Sequence, residues 1–446
     1  MDTEDFKSLK PGKLSEQELL RLNSCSSPHI DWLATWVNKR FRCAHCKGCT
    51  RRCEVLENSN LDIGLVEAAY ERITQQKPQE QAVAVRALAQ EQPELYHALR
   101  RCCFCGFCTS LCETHARSPE RMREWRELFA QAGLLKPQDS QLVMVDEQWH
   151  IFSAYRAVYA IAYPEFIQLE EAAAHGPGLV DTLLLPGCSL VSYAPELVRK
   201  LGQTLSAAGI AWALSDTCCG SPLMSIGLFE RAQALRSSLA DQISEAGISH
   251  VLTICPGCGE ELCETIGGKA EILPLPELLL EIPAKSKGAA SEEAVSSFEL
   301  PESITFFDSC HDRFDRRHGR AIRKLLRQSL PQSEQLEMGH RGKYTLCCGA
   351  GGAVAGYDGE ITNRRVWRVI EEAKATGAAT LVCACPTCSY TIAQAALDSG
   401  GDCGIENRHY LELVLGQEID WPKVFGQLGD MWSGEYGPWL TQTFFS

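Results

Sequence analysis

Cysteine is the residue type that gives this 446-residue chain its chemistry, because the sequence holds 23 of them. The N-terminal stretch "MDTEDFKSLKPGK" has no apolar leader, and we expect a cytoplasmic protein whose thiols stay reduced. Most of the cysteines stand in four compact groups with repeated spacing. Thiols clustered in this way predict metal ligation, since thiolate sulfur binds zinc and iron–sulfur clusters.

Two of the groups repeat the spacing C-x2-C-x2-C-x3-C, the ferredoxin spacing for 4Fe–4S cubane clusters. The first run contains Cys43, Cys46, Cys49 and Cys53, and the second contains Cys102, Cys105, Cys108 and Cys112. In two-cluster ferredoxins the fourth cysteine of each run ligates the other cluster, which pairs Cys112 with the first run and Cys53 with the second. A zinc site usually takes two separated C-x2-C pairs, so zinc is the weaker alternative. Glu54 and Glu113 stand where the motif normally has proline.

The other two groups each contain five cysteines, with an adjacent pair in the middle and a C-P-x-C pair at the end. The members are Cys188, Cys218, Cys219, Cys255 and Cys258 in the first set, and Cys310, Cys347, Cys348, Cys385 and Cys388 in the second. Five sulfurs exceed the needs of a tetrahedral zinc or a four-cysteine cubane. Adjacent thiolates that face one metal group favour bridging sulfurs and an open cluster, with an iron that a substrate can reach.

Short apolar runs that alternate with helical stretches position these cysteines from residue 181 onward, a pattern typical of α/β domains. In each set, one cysteine follows the first predicted strand, the adjacent pair follows the second, and the C-P-x-C pair follows the third. Because loops after parallel strands meet at one edge of a sheet, we expect all five sulfurs to converge there. The order of elements occurs twice, so the sequence predicts an internal duplication.

The predicted fold class is α/β: a helical two-cluster ferredoxin-like N-terminal domain followed by two pseudo-repeated α/β domains. The predicted boundaries are an N-terminal arm at 1–40, the helical domain at 41–150, the first α/β repeat at 181–280, a linker at 281–303, the second repeat at 304–415, and an aromatic tail at 416–446. The tail is expected either to dock a partner protein or to wrap over its own domain.

The "CCG" motifs at 218–220 and 347–349, with their upstream and C-P-x-C partners, resemble the cysteine-rich CCG domain of heterodisulfide reductase. The B subunit of that enzyme carries the duplicated domain. The order of a ferredoxin unit followed by the duplicated domain is similar to its D subunit. The resemblance covers about residues 40–415. It implies two cubane 4Fe–4S clusters on the ferredoxin runs and a non-cubane 4Fe–4S cluster on each set of five cysteines.

The resemblance also implies a function, which is reduction of a small-molecule disulfide that is split between the two non-cubane clusters. Electrons would come from another redox subunit, either a flavoprotein or a ferredoxin. A membrane cytochrome or quinone-reactive subunit is a further candidate partner, and it would place the protein at the membrane periphery. The alternative is a non-catalytic electron carrier between a flavoprotein dehydrogenase and a quinone-reducing membrane subunit. Both sets of five cysteines are complete, which favours the enzyme over the electron carrier. A zinc-stabilised scaffold, the third alternative, is disfavoured because each set has five sulfurs.

Other features give weaker signals. His311 follows Cys310 directly and is the candidate catalytic proton donor. The alternative for His311 is a structural hydrogen bond to backbone or to a cluster sulfur, and the same is expected of His45 and His115. Val354 breaks the G-x-G-x-x-G spacing after Cys348, so no flavin or NAD is expected on this chain. The net charge of −14 argues against nucleic acid as a partner. The cysteines outside the four groups are expected to fill the core: Cys25, Cys103, Cys263, Cys383 and Cys403.

Overall fold

A computed structural model describes residues 43, 45–57, 59–112, 118–282 and 298–445, apart from the side chains of 137–139. The predicted N-terminal arm with Cys25, most of the predicted linker, and Glu113 and His115 lie outside the described residues. A helical unit comes first. Its helices are α1 Ile63–Thr74, α2 Pro78–Glu91, α3 Pro93–Arg100, α4 Phe107–Leu111 and α5 Ser118–Gln131.

The helical unit is built from capped amphipathic helices that surround one apolar cluster. The Asp62 carboxylate accepts a hydrogen bond from the Leu65 amide and caps α1, and prolines occupy the first turns of α2 and α3. Val66, Trp125 and Phe129 are fully buried between the helices. In the sequence, apolar residues at helical spacing in 65–73 and 81–90 predict two helices, and α1 and α2 confirm them.

The first α/β repeat follows two connecting helices, α6 Ile151–Val158 and α7 Leu169–His175. Its parallel sheet has the order β2-β1-β3-β4, formed by Thr182–Leu185 (β1), Trp212–Leu214 (β2), His250–Thr253 (β3) and Glu271–Pro274 (β4). The helices of this repeat are α8 Cys188–Tyr193, α9 Pro195–Ala207, α10 Ser221–Ser225, α11 Phe229–Ala246, α12 Pro256–Ile266 and α13 Leu275–Glu281.

The second repeat builds an equivalent sheet with the order β6-β5-β7-β8. Its strands are β5 Ser303–Phe307, β6 Glu334–Glu337, β7 Thr380–Cys383 and β8 Glu406–His409. Its helices are α14 Arg317–Ser329, α15 Gly359–Lys374, α16 Pro386–Asp398 and α17 Tyr410–Leu415. Buried residues of both repeats, among them Leu252 and Val382, share one apolar cluster. The α/β fold class and the duplication are confirmed.

One strand of the second repeat differs from the expected position. The apolar pattern predicts a strand at "KYTL" before Cys347, but β6 lies earlier and a 3₁₀ turn occupies Gly342–Tyr344. Asp308 explains the difference, because its carboxylate accepts a hydrogen bond from the Gly342 amide at 2.7 Å and pairs with Arg323. Arg323 also pairs with Glu337 at the end of β6. This network holds the connection against the sheet edge.

The aromatic tail forms α18 Trp421–Ser433 and α19 Gly437–Phe445. Trp439 packs edge-on against Trp149, and the Tyr155 hydroxyl donates a hydrogen bond to Gln427 at 2.7 Å. The tail thus wraps over its own chain. Among the described helices, none combines the length and the apolar character that crossing a membrane requires.

Candidate metal centre

The first set of five cysteines gathers at the carboxyl edge of the first sheet. Cys188 begins α8 directly after β1, and its Sγ lies 3.9 Å from that of Cys218. The Cys219 sulfur forms hydrogen-bonding contacts with those of Cys218 and Cys258, and Cys258 also contacts Cys255. The sheet edge therefore brings all five sulfurs of this predicted set together.

The second set gathers in the same way, but it includes sulfurs from outside the set. The Sγ atoms of Cys348 and Cys388 lie 3.2 Å apart, and Cys388 also contacts Cys385. Cys347 contacts Cys310 of its own set. It also contacts Cys103 and Cys105, which belong to the helical unit. The second set therefore adjoins the second ferredoxin-type run.

The two sets of five also meet each other. The Sγ atoms of Cys255 and Cys385 lie 3.9 Å apart, although the two residues belong to different repeats. In each repeat this cysteine is the N-cap of the helix after the third strand, α12 in the first and α16 in the second. The matched topology of the sheets thus places the carboxyl edges of the two repeats face to face.

His311 lies at this junction. Its Nδ1 is 2.5 Å from Oε2 of Glu260, and its ring lies over Gly257, between Cys255 and Cys258. Burial alone would lower the pKa of His311, but the Glu260 carboxylate raises it to about 9. The imidazole of one repeat therefore covers the cysteine loop of the other.

The ferredoxin-type runs lie on the same side of the helical unit. Cys49 and Cys53 flank the 3₁₀ turn Thr50–Arg52, and Cys102 follows α3. Electrostatic interactions of Cys108 with Cys49, Cys53 and Cys102 show that these four sulfurs are neighbours. Cys53 therefore stands beside the second run, as crossed ligation requires. Cys112 is the C-cap of α4, and its pairing with the first run stays a prediction.

The first run begins in a second small cluster. One possible ligand atom from each of Cys43, His45 and Asp62 lies within 4.8 Å of the others. His45 Nδ1 is 3.0 Å from the Asp62 carboxylate, whose other role is to cap α1. The ring of His45 thus forms a hydrogen bond, but its partner is a carboxylate and not the backbone or cluster sulfur that was expected.

A buried arginine connects the helical unit to the second repeat. Arg365 of α15 is 3% exposed, and its Nη1 donates a hydrogen bond to Cys103 Sγ. Its Nε lies 3.6 Å from Oε2 of Glu54, and the same carboxylate accepts a hydrogen bond from Arg368 at 2.7 Å. Burial lowers the pKa of Arg365, but the sulfurs of Cys103 and Cys347 raise it overall. Glu54, which stands where the ferredoxin motif normally has proline, thus pairs with arginines of the second repeat.

The glycines after Cys348 allow this close contact. A Cβ on Gly351 would lie 2.5 Å from the carbonyl oxygen of Cys103, and a Cβ on Gly352 would lie 2.2 Å from that of Cys102. Gly352 also has φ +65°, in the left-handed region that favours glycine. The sequence indicates that these glycines admit backbone close to the metal site. The structure shows that the approaching backbone is that of the second ferredoxin-type run.

Burial and contact show that the sulfurs fit an iron–sulfur group. Cys218, Cys219, Cys348, Cys385 and Cys388 are all at most 6% exposed. Both sets contain thiols whose pKa is lowered because neighbouring sulfurs donate hydrogen bonds to them, namely Cys219, Cys347 and Cys385. A buried thiolate among other sulfurs needs a nearby cation, which a metal cluster supplies. Gly187 adjoins Cys258, and a Cβ added to it would be in van der Waals contact with that sulfur at 3.6 Å.

Sequence reasoning missed the arginines of this interface. Arg126, Arg313 and Arg365 are each at most 3% exposed. Arg126 and Arg313 donate hydrogen bonds to the carbonyl oxygens of Cys102 and Cys105, at 3.2 and 2.9 Å. The sequence does contain a signal for the burial of Arg365. This residue stands at helical spacing among the apolar residues that α15 buries.

Comparison with known proteins identifies the repeated unit. A family model described as the cysteine-rich domain, CCG, matches residues 182–262 and 304–393. The chain therefore carries this domain twice, and each copy spans the first three strands of one sheet. The resemblance indicated by the two CCG motifs is confirmed.

Several proteins are similar to this chain at low identity, over shares of it that range from under half to most of its length. An uncharacterized iron-sulfur protein of Methanococcus maripaludis is 23% identical over 86% of this chain and 72% of its own length. A second uncharacterized iron-sulfur protein, from Methanocaldococcus jannaschii, is 29% identical over 46% of this chain and 40% of its own length. The D subunit of the dihydromethanophenazine:CoB–CoM heterodisulfide reductase of Methanosarcina barkeri is 23% identical over 73% of this chain and 79% of its own length. This chain is thus an iron–sulfur protein related to the D subunit of heterodisulfide reductase.

Proposed function

We propose that this protein is an oxidoreductase subunit that reduces a disulfide. Electrons would pass from two ferredoxin-type 4Fe–4S clusters to two non-cubane 4Fe–4S clusters at the sets of five cysteines. The observation that carries the proposal is the 3.9 Å separation of Cys255 and Cys385. This short distance supports the proposal, because the two sulfurs of one small disulfide would have to reach both sets.

The overall reaction would consume two electrons and two protons for each disulfide and release two thiols. Clusters held by these cysteines would supply one-electron transfer and an iron to which a sulfur ligand binds. The electrons would come from another redox subunit of a complex, as the relation to a reductase subunit implies.

The chain's own residues would orient the substrate and hold a proton for it. The position of His311 over Gly257 supports its role as the proton donor, with Nδ1 held by Glu260 and Nε2 on the far side of the ring. The flanking cysteine loops are largely buried, which would keep water away from the breaking S–S bond. These residues would thus deliver a proton at the junction of the two sets.

The test is metal analysis followed by disulfide titration of protein purified without oxygen. Four clusters predict about sixteen irons and an equal amount of labile sulfide, at four irons per cluster. Thiol-coenzyme disulfides added to the oxidised protein should change the EPR signal of the non-cubane clusters. Cys219→Ser or Cys348→Ser should abolish this change and leave the ferredoxin-type signals intact.

Two outcomes would contradict the proposal. Zinc in place of iron, without labile sulfide, would remove its basis. Full iron content with a spectrum that no disulfide alters would favour the electron carrier between a dehydrogenase and a membrane partner. In that case the same cysteine variants should slow electron transfer to the partner only.

A further inference from the structure

A row of basic side chains lies on the outer face of α14, which starts beside the second set. Arg320, Lys324 and Arg327 are exposed, and their spacing of three or four residues puts them on one face of the helix. Exposed Arg316, the N-cap of α14, extends the row by one more cation. The row is about 16 Å long at 1.5 Å per residue. It contrasts with the chain's net charge of −14.

Nearby carboxylates are engaged with other arginines. Glu277 pairs with Arg317, while Asp308 and Glu337 pair with Arg323. Within the part of the chain that the structure describes, no carboxylate forms an ion pair with the four cations of the row. Asp315 is a further carboxyl group near the row. Burial raises its pKa, and the charges of Arg317 and, to a smaller extent, Arg320 lower it. The row therefore keeps most of its positive charge for a partner.

The fold does not require this row. The equivalent helix of the first repeat, α9, exposes Glu196, Gln203, Ser206 and Ala207, none of which is basic. The two helices share the same place after the first strand of each sheet, so the difference is specific to the second repeat. A feature that only one repeat carries points to a role outside folding.

The row begins where the second repeat meets the helical unit. Arg313 donates a hydrogen bond to the Cys105 carbonyl at 2.9 Å, and a Cβ on Gly106 would lie 3.5 Å from the Phe314 ring. The turn of exposed Arg341 and Tyr344 continues the surface, because a Cβ on Gly342 would meet Arg316 at 3.3 Å. The basic surface thus adjoins both Cys105 and Cys310.

We propose that the α14 face docks an acidic one-electron carrier protein, which delivers electrons near Cys105 and Cys310. This inference rests on the proposed function and adds the electron donor's binding surface to it. Charge complementarity steers such an encounter and fixes its orientation, and it weakens as salt screens the charges. The position beside two predicted cluster sites favours a redox protein over a membrane or a nucleic acid.

The test compares two triple variants of equal charge. Arg320→Gln, Lys324→Gln and Arg327→Gln remove most of the row, whereas Arg72→Gln, Lys77→Gln and Lys423→Gln remove three exposed cations elsewhere. Binding to a strongly acidic ferredoxin is measured by calorimetry at low salt. The row variant should weaken binding at least tenfold, the control less than twofold, and the difference should vanish in high salt.

Equal weakening by the two variants would overturn the docking surface. Tighter binding of phosphatidylserine vesicles or duplex DNA than of the ferredoxin, lost in the row variant, would also overturn it and assign the face to that other partner. Calorimetry does not depend on electron flow, so row-dependent binding without disulfide reduction would contradict the proposed function alone. Disulfide reduction without row-dependent binding would contradict only the docking surface.

Discussion

The contact between the glycine loop of the second CCG domain and the second ferredoxin-type run can be tested with three alanine variants. Gly352→Ala combines two costs, since its Cβ would lie 2.2 Å from the Cys102 carbonyl oxygen at φ +65°. Gly351→Ala isolates the overlap, because its Cβ would meet the Cys103 carbonyl oxygen at 2.5 Å outside the left-handed region. Gly377→Ala isolates the backbone cost, with φ +78° and no atom within 4 Å of the added Cβ.

These geometries give an order of magnitude for each loss in the free energy of unfolding. A left-handed non-glycine residue costs about 1–2 kcal/mol, which is the loss expected for Gly377→Ala. Overpacking costs about 1–3 kcal/mol, which is the loss expected for Gly351→Ala. Gly352→Ala should lose roughly the sum, about 2–5 kcal/mol.

Urea unfolding without oxygen measures the three losses, and amide hydrogen exchange locates them. Gly351→Ala and Gly352→Ala should speed exchange at 102–105, which lies in the other unit, whereas Gly377→Ala should leave it unchanged. If Gly351→Ala is as stable as wild type and exchange at 102–105 does not change, the loop does not pack against the run. The inferred route between the ferredoxin-type run and the second set would then lose its structural basis.

Three further predictions concern single side chains. Cys53→Ser should remove the EPR signal of the cluster on the second run, and loss of the first run's signal alone would show that ligation is not crossed. Arg365→Met removes a buried cation and should lower the potential of the neighbouring clusters in an EPR-monitored titration by roughly 140 mV, from Coulomb's law at ~5 Å and a dielectric constant of ~20, while Arg365→Lys should restore most of it; an unchanged potential would refute the electrostatic role. Burial lowers the pKa of His150 in the folded protein to about 4, below the value of ~6.5 expected in the unfolded chain. The neutral ring therefore contributes its full stability above pH ~6.5, and this contribution is lost as the pH falls from ~6.5 to ~4. His150→Asn keeps an N-cap without this titration and should reduce the fall in the free energy of unfolding across that pH range by up to roughly 3 kcal/mol, as urea unfolding at each pH measures. An acid profile equal to that of the wild type would contradict this role of His150.

Local sequence pattern is sufficient to predict most of the fold. Helical periodicity locates α9, α11, α14 and α15, because each buries an apolar stripe against its sheet. Strands β1, β3, β5 and β7 are short buried runs that end next to cysteines. In both cases the signal lies within one segment of the chain.

The edge strands of the second sheet cannot be predicted in this way. Strand β6 has the sequence EQLE and β8 has ENRH, with polar residues and only partial burial. Pairing with β5 and β7 makes these segments strands, and that pairing depends on the whole sheet. The local sequence pattern carries no information about this pairing. It therefore predicts the second strand at the more apolar "KYTL".

The candidate site also has features that local sequence predicts and features that it does not. Spacing groups the cysteines correctly within each segment, since a loop or a sheet edge brings near neighbours together. The contacts that join the groups connect residues far apart in the chain, such as Cys103 with Arg365 and Glu54 with Arg368. Only the packing of the helical unit on the second repeat reveals them.

The two CCG domains are alike in fold but different in surroundings, and this difference gives the predicted electron route a direction. Cys347 of the second set contacts Cys103 and Cys105, whereas the first set meets the helical unit through the salt bridge of Arg123 and Glu261. The glycine-rich sequence after the second CCG motif is replaced by Ser-Pro after the first, where Arg126 lies between the backbone and the second run and donates hydrogen bonds to the carbonyl oxygens of Ser225 and Cys102. Under the proposed function, electrons would therefore reach the second set first and cross to the first set between Cys385 and Cys255.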